Sequence, residues 1–74
     1  MIKIGQIEID SVIHTFSYER DMSSVNLKYM VRDFATDITI WRDFDNEWKQ
    51  EAKGNAPLNE ETLNKVITEI LSNP

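Results

Sequence analysis

The amino-acid sequence predicts an α+β fold, a small antiparallel meander of four to five strands with one C-terminal amphipathic helix packed on one face. Two changes of pattern carry this. Through most of residues 1–53 apolar side chains alternate with polar ones, the period of half-buried strands. From Asn59 to Ser72 the spacing becomes helical: Leu63, Val66, Ile67, Ile70 and Leu71 form one stripe opposite Asn64, Lys65, Thr68 and Glu69. A chain of 74 residues holds a single domain, here divided into a meander (1–53), a linker (54–58) and the helix (59–72). A domain this small buries only about 60% of its unfolded surface, so a second copy is an alternative source of core.

The first strand starts with Ile2 and Ile4, then shifts parity to Ile7 and Ile9, which predicts a turn or bulge at Gly5-Gln6. A second shift near Asp10-Ser11 leads into Val12, His14, Phe16 and Tyr18. Residues 20–24 are turn formers, after which Val25, Leu27, Tyr29 and Val31 give the cleanest period-two run, predicting a central strand over 25–32. Phe34 to Asp37 makes the next connection, Ile38 to Trp41 resumes extended structure, and Glu47 to Ala52 ends the meander.

Register follows from keeping each strand's apolar set on one face. The pattern pairs Tyr18 with Val25, Phe16 with Leu27, His14 with Tyr29 and Val12 with Val31. It then sets Val31 against Ile38 and Tyr29 against Ile40. A four-residue loop, Asp43 to Asn46, pairs Arg42 with Glu47 and Trp41 with Trp48, an ion pair and an aromatic pair.

For the helix, Asn59 is the expected N-cap, Leu58 is placed to staple against Leu63, and Glu60 and Glu61 suit the positive end of the helix dipole. Burying each of the five stripe residues is worth about 1.5–3 kcal/mol before entropy, so the helix belongs to the core.

Composition narrows the function classes. The absence of Cys excludes disulfides and thiolate metal sites and fits a reducing, cytoplasmic setting. No apolar run reaches membrane-spanning length. With 13 acidic against 8 basic residues the net charge is -5, which opposes direct nucleic-acid binding. Acidity also suits an inhibitor that blocks a basic site on a partner as a nucleic-acid mimic, but Asp10, Asp21, Asp33, Asp37, Asp43 and Asp45 sit where strands end and are explained by turn chemistry.

No catalytic constellation stands out, so the chain is read as non-enzymatic and without a cofactor. His14, the only histidine, falls on the inner face, and nothing nearby in sequence supplies a nucleophile elbow or similar device. Asp43, Asp45 and Glu47 alternate like the start of a calcium loop, yet Trp48 stands where such a loop needs Gly and Gly54 where it needs Glu. Two glycines make no phosphate-cradling loop.

If Val12, Phe16, Val25, Leu27, Tyr29, Val31, Ile38 and Ile40 face the helix, then Ile13, Met30, Trp41 and Trp48 share the other face, edged by Lys28, Arg32 and Asp43. Such a patch has the composition of a protein interface. The sequence therefore predicts a small module for protein interaction or assembly, acting through an exposed sheet face or edge. The acidic inhibitor and a homo-oligomeric structural subunit are the alternatives.

Overall fold

A computed structural model describes residues 1–34, 36–54 and 57–74. The alternating stretch forms five strands, β1 (Lys3–Ile9), β2 (Val12–Arg20), β3 (Lys28–Phe34), β4 (Thr36–Arg42) and β5 (Trp48–Ala52), followed by helix α1 (Glu60–Ser72). The strands pair in chain order, each antiparallel to the next, so β1 and β5 are the two edges. The α+β meander with a C-terminal helix expected from the pattern is the fold observed.

One face packs on α1. Phe16, Tyr29, Val31, Ile38 and Ile40 from the sheet are fully buried with Val66 and Ile70 from the helix. Ile9, Leu27, Trp48, Ala52, Leu58 and Leu63 pack around them. Asn59 caps the helix, its Oδ1 accepting the Thr62 N–H at 2.8 Å, and Glu60 and Glu61 fill the first turn. At the far end the Asn73 N–H donates to the Ile70 carbonyl.

The helix stripe is rotated slightly from the expected one. Thr62 is buried in line with Val66 and Ile70, and Leu71 is 45% exposed. Counted from Thr62 at about 100° per residue, Leu71 lies on the far side of the buried arc.

Three further expectations are corrected. The change of parity at Gly5-Gln6 is neither a turn nor a bulge: β1 runs unbroken, with Gly5, Ile7 and Ile9 on the inner face and Ile4 and Gln6 on the outer. Gly5 opposes Phe16, and a Cβ there would come within 2.6 Å of the Phe16 ring and 3.0 Å of the Glu69 side chain. The glycine keeps the parity while leaving room for the ring. The turn is Asp10-Ser11, where φ values of 50° and 66° give both central residues the left-handed geometry that matches strand twist in a tight hairpin.

The β2–β3 register is displaced by six residues. Tyr18 opposes Val31 and Arg20 opposes Tyr29, so residues 21–27 form a loop and Val25 is 93% exposed. The Asp21 carboxylate holds that loop by accepting the Ser23 N–H at 3.0 Å and the Ser23 hydroxyl at 2.6 Å, bonds that draw the Asp21 carboxyl below the usual aspartate range. Because β3 joins β2 only from Ser17 onward, Val12 and His14 lie beyond the covered core and are exposed, although they share the inner-face parity.

The last hairpin differs by one residue. The Asp43 N–H donates to the Glu47 carbonyl at 2.8 Å, closing a five-residue loop in which Asn46 takes φ 65°. Arg42 therefore opposes Trp48, and Trp41 opposes Lys49. A one-residue slip reverses the faces, which puts Trp48 on the inner face beside the core and leaves Trp41 outside. The β3–β4 pairs, Val31 with Ile38 and Tyr29 with Ile40, are those expected. Of the anticipated connection at Phe34 to Asp37 and the linker, Ala35, Asn55 and Ala56 lie outside the described residues.

Gly5 generates the first prediction. Gly5→Ala should cost about 1–3 kcal/mol, the range for overpacking, because the Phe16 ring is fully buried and has nowhere to go. Urea denaturation of the variant beside the wild type measures it, and an unchanged midpoint would contradict the packing described.

Candidate functional site: the outer sheet face and the two edges

Cross-strand pairing orders the uncovered face in rows. Glu19 opposes Met30, Met30 opposes Thr39 and Thr39 opposes Glu51. The next row is Lys28, Trp41 and Lys49. Met30 and Trp41 form the apolar centre, each half-buried. Trp41 thus stands between two lysines in the row, each ion-paired with loop acids: Lys28 lies 4.0 Å from Asp21, and Lys49 lies 3.3 Å from Glu47 and 3.7 Å from Asp45. The hydrogen bond to Glu47, then the charges of Asp45 and Glu47, hold the Lys49 pKa above the ordinary lysine value.

Shallow hollows of about 380 Å³ and 320 Å³ flank this centre, the first beside Lys28 and Trp41, the second beside Met30 and Arg32, with Thr39 and Glu51 common to both.

Of the residues expected to bind a partner, Lys28, Met30, Arg32 and Trp41 do share this face. Ile13 is on it too, 58% exposed, but sits in the β1–β2 hairpin four residues beyond Ser17, where β3 pairing begins. At about 3.3 Å per residue that is some 13 Å past the last shared row, so Ile13 is not part of the Trp41 cluster. Trp48 is corrected to the inner face, where it packs against the core. Asp43 belongs to the loop, its carboxylate accepting the Phe44 N–H at 2.9 Å.

Sequence reasoning missed Thr39, Lys49 and Glu51. The outward parity of Thr39 is that of Trp41 on the same strand, while that of Lys49 and Glu51 would have followed from pairing Arg42 with Trp48.

The edges are treated unequally. Along β1, the Gln6 N–H donates to a Glu69 carboxylate oxygen at 2.8 Å, and Lys65 Nζ donates to the Glu8 carbonyl at 2.7 Å. Lys3 Nζ reaches the Pro74 carbonyl. The Glu69 and Lys65 side chains of the helix thus occupy two backbone groups that a strand edge otherwise exposes. They also line a groove of about 670 Å³ whose carboxylates include Glu8, Asp10, Glu61 and Glu69.

Along β5 the arrangement is different. The bonds Asp43 N–H to Glu47 and Lys53 N–H to Asp37 show that residues 47, 49, 51 and 53 direct their backbone toward β4. The N–H and C=O groups of Trp48, Gln50 and Ala52 therefore point outward. Among the described residues nothing bonds to them. The Gln50 side chain reaches from the inner face to the backbone of Leu58, accepting its N–H at 2.9 Å and donating to its carbonyl at 2.7 Å, which anchors the entry to α1.

Groups with chemical potential elsewhere are engaged structurally. Asp45 accepts the Glu47 N–H at 3.0 Å, so the alternating acids close their own loop. Among the described residues no group of three or more His, Cys, Asp or Glu converges as a metal site, and no helix is long and apolar enough to cross a membrane. Tyr18 is buried, and its hydroxyl donates to the Asn73 carbonyl where the helix ends. Burial first, then the charge of Glu69 and of Tyr29, raises its pKa above the ordinary tyrosine value of 10.0.

Two predictions follow from these placements. Trp48→Ala should cost about 2 kcal/mol or more, as loss of core-packed ring surface does, whereas Trp41→Ala should cost less than about 1 kcal/mol; paired denaturation curves compare them, and equal losses would contradict the opposite faces. For Tyr18, the folded state holds its proton more tightly than the unfolded state. Its contribution is therefore complete below the unfolded value of 10.0 and is lost as pH rises through the higher folded value. Stability measured against pH should fall above 10.0, and Tyr18→Phe should flatten that fall.

Compared with known proteins, the chain matches no family model, no curated protein and no solved structure.

Proposed function

We propose that the protein is a non-catalytic binding or assembly module that takes a protein partner on its outer sheet face and along β5. The observation that carries this reading is the unequal treatment of the edges. Helix side chains occupy backbone groups of β1, while among the described residues nothing occupies the outward backbone groups of β5, which lie beside Trp41, Met30 and two lysines.

An unprotected edge is a template for strand addition, in which main-chain bonds supply affinity and alternate side chains supply selectivity. The adjoining face offers an aromatic and a methionine for burial, and Lys28, Lys49, Arg32 and Glu51 as a polar rim. A partner with an extended segment and an apolar side chain to set beside Trp41 fits this chemistry.

The experiment is capture from the native cell by the wild type and by a Met30→Asp, Trp41→Ala variant, followed by hydrogen exchange on any complex. The expected outcome is loss of the partner from the variant, with exchange protection gained in residues 28–32, 39–41 and 48–52 of the wild type. A partner held equally by both forms, or protection confined to the helix and β1, would remove this face from the reading.

A further inference from the structure

We infer that the occupant of the β5 edge is the β5 edge of a second copy, joined antiparallel about a two-fold axis at Gln50 to make one continuous sheet. This rests on the reading of β5 as a binding edge and names its partner.

The register is selected by the backbone. Only Trp48, Gln50 and Ala52 present outward N–H and C=O groups, so a ladder forms only if these residues meet one another as hydrogen-bonded pairs. Centring on Gln50 pairs Gln50 with its copy and Trp48 with Ala52 of the other chain, using every residue of the strand. Centring on Trp48 runs into Asn46, whose φ of 65° ends the extended chain, and centring on Ala52 runs into Gly54 at φ 97°. The backbone admits one full-length pairing.

The side chains agree with it. On the outer face the pairing sets Lys49 opposite Glu51 of the other copy, twice by symmetry, and opposite charges at facing positions stabilise an antiparallel pair. Glu51 is exposed, and among the described residues its charge has no ion-pair partner. On the inner face the ring of Trp48 meets the methyl of Ala52, a large residue against a small one, both already half-buried at the rim of the core. A lysine on an edge strand normally repels further strands. Here the same lysine is matched two residues later by a glutamate, so the edge is complementary to itself.

Sedimentation equilibrium from about ten micromolar to one millimolar tests this, since a five-residue edge makes a small and weak interface. The wild type should pass from monomer to dimer across that range. Glu51→Lys breaks no ion pair or side-chain hydrogen bond among the described residues and sets lysine against lysine at both positions; it should raise the dissociation constant roughly tenfold. Lys49→Glu should do the same, and an equimolar mixture of the two variants should associate as a heterodimer at least as well as the wild type.

Ala52→Pro is the backbone control. It removes an N–H that points away from β4, so the fold read by circular dichroism should persist while dimerisation is lost. A wild type that stays monomeric to one millimolar overturns the inference while leaving the module reading to its own capture experiment. A dimer indifferent to Glu51→Lys and to the mixture also overturns it, because association would then use another surface.

Discussion

The close approach of α1 to β1 at Gly5 is the constraint on which the other features depend. With no Cβ at that position, the Phe16 ring and the aliphatic part of Glu69 occupy the space beside β1, and the ring joins the buried cluster built around Tyr29, Val31, Ile38 and Ile40. Because the helix sits that low, the Glu69 carboxylate reaches the Gln6 N–H and Lys65 reaches the Glu8 carbonyl. The same approach brings Asn73 to the Tyr18 hydroxyl, so one close contact both completes the core and closes a sheet edge. A domain of this size has no surplus of buried surface to lose.

How much of this was legible in the sequence depends on the parity of each register. The β3–β4 pairs were legible because both strands alternate cleanly and their connection is short. The β2–β3 pairing slipped by six, yet an even slip returns each strand residue to its expected face, so Tyr18, Tyr29 and Val31 still fell inside. What misled was the alternation continuing through Val25 and Leu27 after the backbone had left the ladder. The bonds from Asp21 to Ser23 that define that loop leave no period-two trace.

The β4–β5 slip was only one residue and had the larger consequence. Pairing Arg42 with Glu47 and Trp41 with Trp48 optimised facing side chains, but the loop is decided by its own capping: Asp43 closes on Glu47, Asp45 holds the Glu47 N–H, and Asn46 accepts a positive φ. An odd slip exchanges the faces. Lys28, Met30, Arg32 and Trp41 were therefore legible as an outer cluster, while Trp48 was not, and Lys49 and Glu51 emerged only once the true partner of Arg42 was known.

A helix can close one edge of an open sheet but not both. The Gln50–Leu58 bonds start α1 under β5, and the bonds of Glu69 and Lys65 to Gln6 and Glu8 end it along β1, so the helix crosses the inner face and is spent on the first strand. The last strand is left to protect itself by composition. It lacks proline, and its outward charges are of opposite sign, so it repels a strand bearing lysine opposite Lys49 or an acid opposite Glu51 and accepts one with the signs reversed. As the proposed binding edge, β5 would thus select through its charges, beside the face that carries the ring of Trp41.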